Sequence, residues 1–408
     1  MRIFPFQILA GLVLVAAGGC RSDPDKPIGL ADSYVLFAPI AGKQDGALPI
    51  VRRLNIKDEA VQPLPRLLES TFAFEMVRTS YLAKQFIRDA TVDGQTFSPA
   101  ARRNAAEPTC LVLGLQPSPY GRGLALPQTF GSDQARPNLP WIGLPADFSA
   151  DKALVQTLAG RLATFVAHLV ATGGNLVDGV PPPPVLVDGY RIAMEVIARE
   201  WRVGTGPAGV IQMEEGSTAQ REIFGNVREN RYVLQPGGAT MRSARELVED
   251  PGVAATVIYR MAQSRALAGR VAPEAFYQPF AAGRFLAGVS PAAILGTFRN
   301  FQAKLLGTWA AAVLRGRAPR DVIDLVELYA TAFPAERAEV VRIFIVTTFG
   351  ATAKAGGVST KAQDSTQAMA ELTALTAETV AARRSLREAL TSSATDAGAG
   401  PGRAGRGQ

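Results

Sequence analysis

The side chains that could carry chemistry in this 408-residue chain are few and widely spaced. His168 is the single imidazole. As a general base it would need a nucleophile within hydrogen-bond reach and a carboxylate to orient the ring. At about 100° per residue it falls at the edge of the stripe formed by Leu158, Leu162, Phe165 and Leu169, the place of a boundary histidine held by a structural hydrogen bond. Ser149-Ala-Asp-Lys152 has the S-x-x-K spacing that joins a serine nucleophile to a lysine base. The companion motifs S-D-N and K-T-G do not occur, and Ser149 is explained as a helix N-cap. Gly288-Val-Ser290-Pro-Ala292 is one residue away from a nucleophile elbow, which must follow a strand. Here Ser290-Pro291 reads as the N-cap and first residue of a helix. Gly204-Thr-Gly206-Pro-Ala-Gly209 has the G-x-G-x-x-G spacing of a dinucleotide loop, but Pro207 within it and the β character of Val210 to Met213 are the wrong context. Asp321, Asp324 and Glu327, at i, i+3 and i+6, could face a cation, yet Arg317 and Arg320 beside them mark a solvated helix face. The expectation is no catalytic residue, no cofactor site and no metal ligand.

Two cysteines and one histidine exclude a disulfide scaffold, a zinc ribbon and a histidine-rich metal site. Cys110 lies in the apolar run Thr109–Leu115 and reads as a buried, inert thiol. Cys20 sits in a different context. Arg2 is followed by the uncharged, mostly apolar run Ile3–Ala17 and then by Gly18-Gly19-Cys20. This is the layout of a secretory signal, and its ending resembles the lipobox of bacterial lipoproteins. The resemblance covers residues 1–20. It implies cleavage before Cys20, a diacylglycerol on its sulfur, and a body held in the cell envelope. Arg21, where an aspartate would signal inner-membrane retention, favours the outer membrane facing the periplasm. A cleaved soluble form and an uncleaved N-terminal anchor stay open as readings of the same run.

Elsewhere the composition is that of a folded protein, with 47% hydrophobic and 19% charged residues. No later stretch reaches the roughly 18 uncharged apolar residues of a membrane span. The formal charge is +7, and 8 of the 43 basic residues are lysine. These residues are scattered, so nucleic-acid binding is not expected.

The predicted fold class is α+β and predominantly helical, with a small mixed α/β N-terminal region followed by an all-helical C-terminal bundle. The expected organisation is a signal peptide at 1–19, a lipidated tether at 20–32 and a mixed α/β domain at 33–180. A Pro-rich linker with a small ambiguous segment occupies 181–242, a helical domain 243–390 and a disordered tail 391–408. Strands are expected at Ser33–Ile40 and Thr109–Leu115, and helices at Pro63–Ala90 and from Ser149 to about Thr172, with Gly173 as the stop. Gln116–Phe148, rich in Pro and Gly, reads as a long loop or as short irregular strands. Pro181–Pro184 favours a stiff extended boundary. Tyr190–Trp201 fits a helix better than the alternation that it also shows. From the capping box Ser243-Ala-Arg-Glu246 onward, helices are expected near 244–249, 252–268, 291–315, 320–332, 335–353 and 361–390.

The best-supported function is a non-catalytic accessory or scaffold protein, anchored to the membrane through Cys20 and holding an envelope protein partner. The alternatives are an envelope hydrolase using Ser or paired carboxylates, and a periplasmic carrier with an apolar cavity between helices.

Overall fold

The computed structural model describes residues 34–45, 48–55, 72–107, 109–113, 141–144, 154–176, 182–203, 218–236, 242, 244–281, 289–348, 353–354 and 357–358. The fold is α+β and mainly helical, with a small mixed sheet near the N-terminus.

Strand β1 (Tyr34–Asp45) pairs antiparallel with β2 (Leu48–Arg53). Their register slips between Pro39 and Gln44, around Gly42 at φ +68°. Pro39 has no amide hydrogen and Gly42 accepts a left-handed turn, so a bulge falls where the ladder is weakest. A short hairpin, β3 (Thr91–Val92) and β4 (Gln95–Thr96), turns through Asp93 and Gly94, both at positive φ. An Asp-Gly pair tolerates that conformation and so sets the tight turn. Strands β5 (Thr109–Leu113) and β6 (Trp141–Leu144) complete the sheet in the order β2-β1-β5-β6, and both of their pairings are parallel. Every residue of β5 is buried, as in a strand covered on both faces. β6 falls inside the 116–148 stretch. That stretch therefore contains a regular strand, and its remainder lies outside the described residues.

Helix α1 (Phe72–Asp89) connects β2 to the hairpin, and α2 (Pro99–Ala106) follows. The Ser98 hydroxyl accepts from Ala101 N at 3.2 Å and Pro99 opens α2, a complete N-terminal cap. Helix α3 (Leu154–Ala171) stops as the sequence indicates. Gly173 and Gly174 have φ of +57° and +83°, and their amides donate to Val170 O and Leu169 O. This paired closure satisfies the last carbonyls of the helix, and it needs a residue without a Cβ penalty at Gly173.

Pro184 begins helix α4 (Pro184–Val203), so the proline run leads directly into a helix. Leu186, Tyr190, Met194 and Ile197 of α4 are buried in the same apolar cluster as residues from Tyr34 to Phe344. Helix α5 (Thr218–Arg228) and a 3-10 turn (Arg231–Val233) follow. The second of these falls within Arg231–Leu234, where the sequence suggests a short strand or turn.

The later helices are α6 (Ala244–Glu249), α7 (Pro251–Gln263), α8 (Arg265–Gly269), α9 (Glu274–Ala281), α10 (Pro291–Leu295), α11 (Thr297–Leu314), α12 (Val322–Ala332) and α13 (Arg337–Thr348). Two expected helices are each divided. The 252–268 segment breaks at Ser264, which takes extended angles and caps α8 through Leu267 N. The 291–315 segment breaks at Gly296, φ +79°. The helix expected to reach 353 ends at Thr348, and a two-strand turn, β7 (Ala353–Lys354) with β8 (Gly357–Val358), lies beyond it. The 361–390 helix, the Ser243 cap and the short strand or turn suggested at Ala208–Met213 lie outside the described residues.

Helix α11 is the axis of the helical part. Phe301, Leu305, Leu306 and Trp309 are buried, and so are Asn300, Gln302, Lys304 and Thr308 on its other sides. A helix enclosed all round must find internal partners for its polar side chains.

Candidate functional site

Among the described residues, the candidates His168, Asp321 and Asp324 named from sequence each have their own local partners. His168 is half-buried on α3, with its Nδ1–H donating to Thr164 O at 3.0 Å. Burial holds its pKa below the usual value, opposed by that hydrogen bond and by Asp188 on α4. Ser290 occupies the N-cap of α10, but its hydroxyl makes no capping bond, so its helix-start role is carried by backbone conformation and Pro291 alone. Asp321 caps α12 by accepting from Asp324 N at 2.9 Å, and Asp324 pairs with Arg320 at 2.8 Å. That row is a cap, an ion pair and the exposed Glu327. No group of three or more His, Cys, Asp or Glu among the described residues is placed to hold a metal ion. Cys110 is buried beside Phe37, Val51 and Val112, on the opposite side of the strand from Leu111. Cys20, Ser149, Lys152 and Gly204–Gly209 lie outside the described residues.

The densest polar constellation was not anticipated. Lys304 of α11 is fully buried. Its Nζ donates to Glu336 Oε1 and Oε2 at 2.8 and 2.9 Å, to Leu267 O at 2.5 Å and to Arg270 O at 2.9 Å. Tyr329 OH donates to Glu336 Oε2 at 2.8 Å. Asn300, one helical turn before Lys304, donates to Ala268 O and Arg270 O and accepts from Tyr277 OH. Ala272 N in turn donates to Tyr277 OH at 2.9 Å. Burial pulls the Lys304 pKa down, and Glu336 opposes it. Burial also raises the Tyr329 pKa, with the Glu336 carboxylate acting in the same direction. The network ties the chain between α8 and α9 to the first turns of α11 and to the turn before α13. Its groups face one another, so its chemistry is structural.

A second buried amine, Lys84 on α1, donates to Glu107 O at 2.8 Å and lies 5.5 Å from the Phe165 ring centre. Its pKa is lowered to about 8, chiefly by burial, with Cys110 and Glu107 opposing. One turn earlier, the Ser80 hydroxyl donates to Val77 O and lies 3.5 Å from the Thr109 hydroxyl. A serine and a lysine of lowered pKa at i and i+4 have the elements of a nucleophile and base. Ser80 is fully buried and Lys84 nearly so, so neither faces a substrate in this structure.

The third constellation is a seam between α3 and α4. Arg191 donates to Asp188 at 3.3 Å and to Glu195 at 3.0 Å. The Glu195 carboxyl lies against Gly160, where a Cβ would come within 2.1 Å of Oε1. Burial raises the Glu195 pKa and Arg191 offsets it. Gly160 is what lets an acidic side chain settle onto the α3 backbone. One further turn along α4, the Arg199 guanidinium stacks 4.5 Å from the Phe224 ring centre. Arg228 lies 5.3 Å from the same ring.

The sequence suggests an i, i+4 pair between Glu195 and Arg199, whereas in the structure Glu195 pairs with Arg191 and Arg199 stacks on Phe224. The burial of Lys84 and Lys304 was not visible in the sequence, because their partners are distant along the chain and include backbone carbonyls. No protein-family model, curated protein or solved structure matches the chain.

Proposed function

We propose that this protein is a lipid-anchored, non-catalytic accessory protein of the bacterial cell envelope, held to the membrane through Cys20. The observation that carries the reading is the run Arg2, Ile3–Ala17 and Gly18-Gly19-Cys20, whose small residues place a thiol directly after an apolar segment. Two acyl chains give stable anchoring, so the body needs no span of its own. No helix among the described residues is long and apolar enough to cross a membrane. Support for an accessory role comes from the buried polar groups. Lys304, Glu336, Tyr329, Tyr277, Asn300 and Lys84 all spend their hydrogen bonds on the fold itself.

The reading is tested by metabolic labelling with an azido-fatty acid. The wild-type protein should label and fractionate with membranes, and Cys20→Ser should do neither. Equal labelling of the two would refute the anchor. Mild detergent extraction of the wild type should recover an envelope protein partner in fixed proportion, and its consistent absence would count against the accessory role.

A further inference from the structure

The C-terminal ends of three long helices meet at one pole of the molecule: α1 at Asp89, α3 at Ala171 and α11 at Leu314. Specific contacts hold them together. Arg102 Nε on α2 donates to Arg88 O at 2.9 Å, and Asn104 Nδ2 donates to Gly174 O at 3.4 Å. Arg315, just past α11, pairs with Asp93 of the hairpin at 2.6 Å. A Cβ on Gly173 would lie 3.2 Å from the Phe97 ring and 3.4 Å from Val313.

Among the described residues, Arg102, Arg103, Arg315, Arg317 and Arg320 are exposed around this pole, against the exposed carboxylates Asp89 and Asp93. Glu107, Asp321 and Asp324 are half-buried, and the last two are taken up by a cap and an ion pair. Cations complement helix C-termini, which accounts for Arg88 and Arg315. Arg103, in the last turn of α2, and Arg317, whose amide closes the end of α11, serve the same helix ends, but their side chains form no hydrogen bond or ion pair among the described residues and so stay open to an anionic surface.

The described chain enters level with the middle of α1. Tyr34 at the start of β1 is level with Thr109, which lies beside Ser80, and Lys84 one turn on reaches Glu107 O. From Ser80 to the end of α1 is about 14 Å at 1.5 Å per residue. Cys20 and Tyr34 are fourteen residue steps apart along the chain. A flexible chain of that length has a typical span of about 20 Å and a limit of about 50 Å.

We infer that this arginine-bearing pole rests on the anionic phospholipid head groups of the bilayer that anchors the protein. The acyl chains at Cys20 supply the attachment. The pole supplies orientation, because guanidinium groups bind phosphate in two-pronged fashion and basic side chains are drawn to an anionic surface within a Debye length. The inference rests on the proposed anchor for its geometry, but its test does not need the lipid.

The test uses the full chain as Cys20→Ser, sedimented with vesicles of phosphatidylcholine alone or mixed with phosphatidylglycerol. The readout is the ratio of binding to the two, which cancels any insertion by the apolar N-terminal run. We expect a preference of about tenfold or more for the anionic vesicles at low salt, since each basic group near such a surface contributes about fivefold, and its loss at high salt. Arg103→Glu/Arg317→Glu should abolish the preference and Arg103→Gln/Arg317→Gln should reduce it. Circular dichroism checks folding, and if the glutamate pair unfolds the glutamine pair decides. Arg265→Glu should leave the ratio unchanged. It is exposed on α8, whose Ala268 O is bonded by Asn300 near the opposite end of α11. Equal binding to both vesicles, or a preference untouched by the 103/317 variants, overturns the inference. Neither outcome bears on Cys20, which is tested by the fatty-acid labelling of wild type against Cys20→Ser.

Discussion

Lys304 and Glu336 form a two-pronged ion pair, 2.8 and 2.9 Å from nitrogen to oxygen, with both side chains removed from solvent. Isolating either charge there is costly, whereas removing both together costs less. Lys304→Met alone should destabilise the protein by about 3–5 kcal/mol. Lys304→Met/Glu336→Leu should recover most of that loss, with a residue left by the unsatisfied Leu267 and Arg270 carbonyls and the Tyr329 hydroxyl. Urea unfolding of the three proteins measures this. A double variant as unstable as the single would show that the buried charge is not the source of the cost.

Lys84 makes the opposite kind of contribution. Its pKa falls from 10.5 to about 8 on folding. Between those values the unfolded chain carries a proton that the folded chain does not, so stability rises with pH through that window. It is fully present above 10.5 and lost as pH falls through about 8. Near neutrality the folded protein therefore bears a penalty of about 3 kcal/mol, at 1.36 kcal/mol per pKa unit. Lys84→Met should be more stable than wild type at pH 7, less the roughly 1 kcal/mol of the lost bond to Glu107 O. That advantage should shrink at pH 10. An advantage that stays constant with pH would remove ionisation as its cause.

Two serines that look alike in sequence should behave differently. Ser98-Pro99 and Ser290-Pro291 both open helices, but only the Ser98 hydroxyl reaches a backbone amide. Ser98→Ala should cost about 1 kcal/mol, and Ser290→Ala much less than that. Thermal melts of the two variants decide. A larger loss at Ser290 would mean that its hydroxyl makes a contact other than a cap.

These comparisons mark how far the sequence could be read. Helix ends were legible where backbone chemistry is local: Gly173 and Gly174 close α3, and Ser290-Pro291 opens α10. The break at Gly296 was not, because apolar periodicity continues across it and only a φ of +79° separates α10 from α11. β6 was hidden by its length of four residues, beside Pro140 and Pro145. The turn at Asp93-Gly94 carried a local signal that went unread. On α11 the stripe rule fails for a physical reason. Asn300, Gln302, Lys304 and Thr308 look like a solvent face, and burial reverses that meaning. The partners of Asn300, Gln302 and Lys304 that permit this burial are 23 or more residues away, as at Tyr277, Arg270 and Glu336, and periodicity carries no information about them. The candidate anchor, by contrast, is a purely local pattern, which is why Cys20 could be named without a fold.

His168 offers the last test, because a structural and a catalytic histidine differ in what they lose. Its Nδ1–H is bonded to the Thr164 carbonyl, and burial lowers its pKa below 6.5. A histidine of lowered folded pKa adds stability above its unfolded pKa, and loses it as pH falls through the folded value. From pH 7.5 to below 6, wild type should therefore lose more melting temperature than His168→Gln, which has no proton to gain. Carboxylates titrating in the same range act equally on both proteins, so the difference between the two curves isolates the imidazole. At neutral pH the variant should be close to wild type in stability, and it should complement a deletion strain at normal protein level. Parallel melting curves would mean that burial does not control the ring. A folded, membrane-associated His168→Gln protein that fails to complement would make His168 a functional group and bring the hydrolase reading ahead of the accessory one.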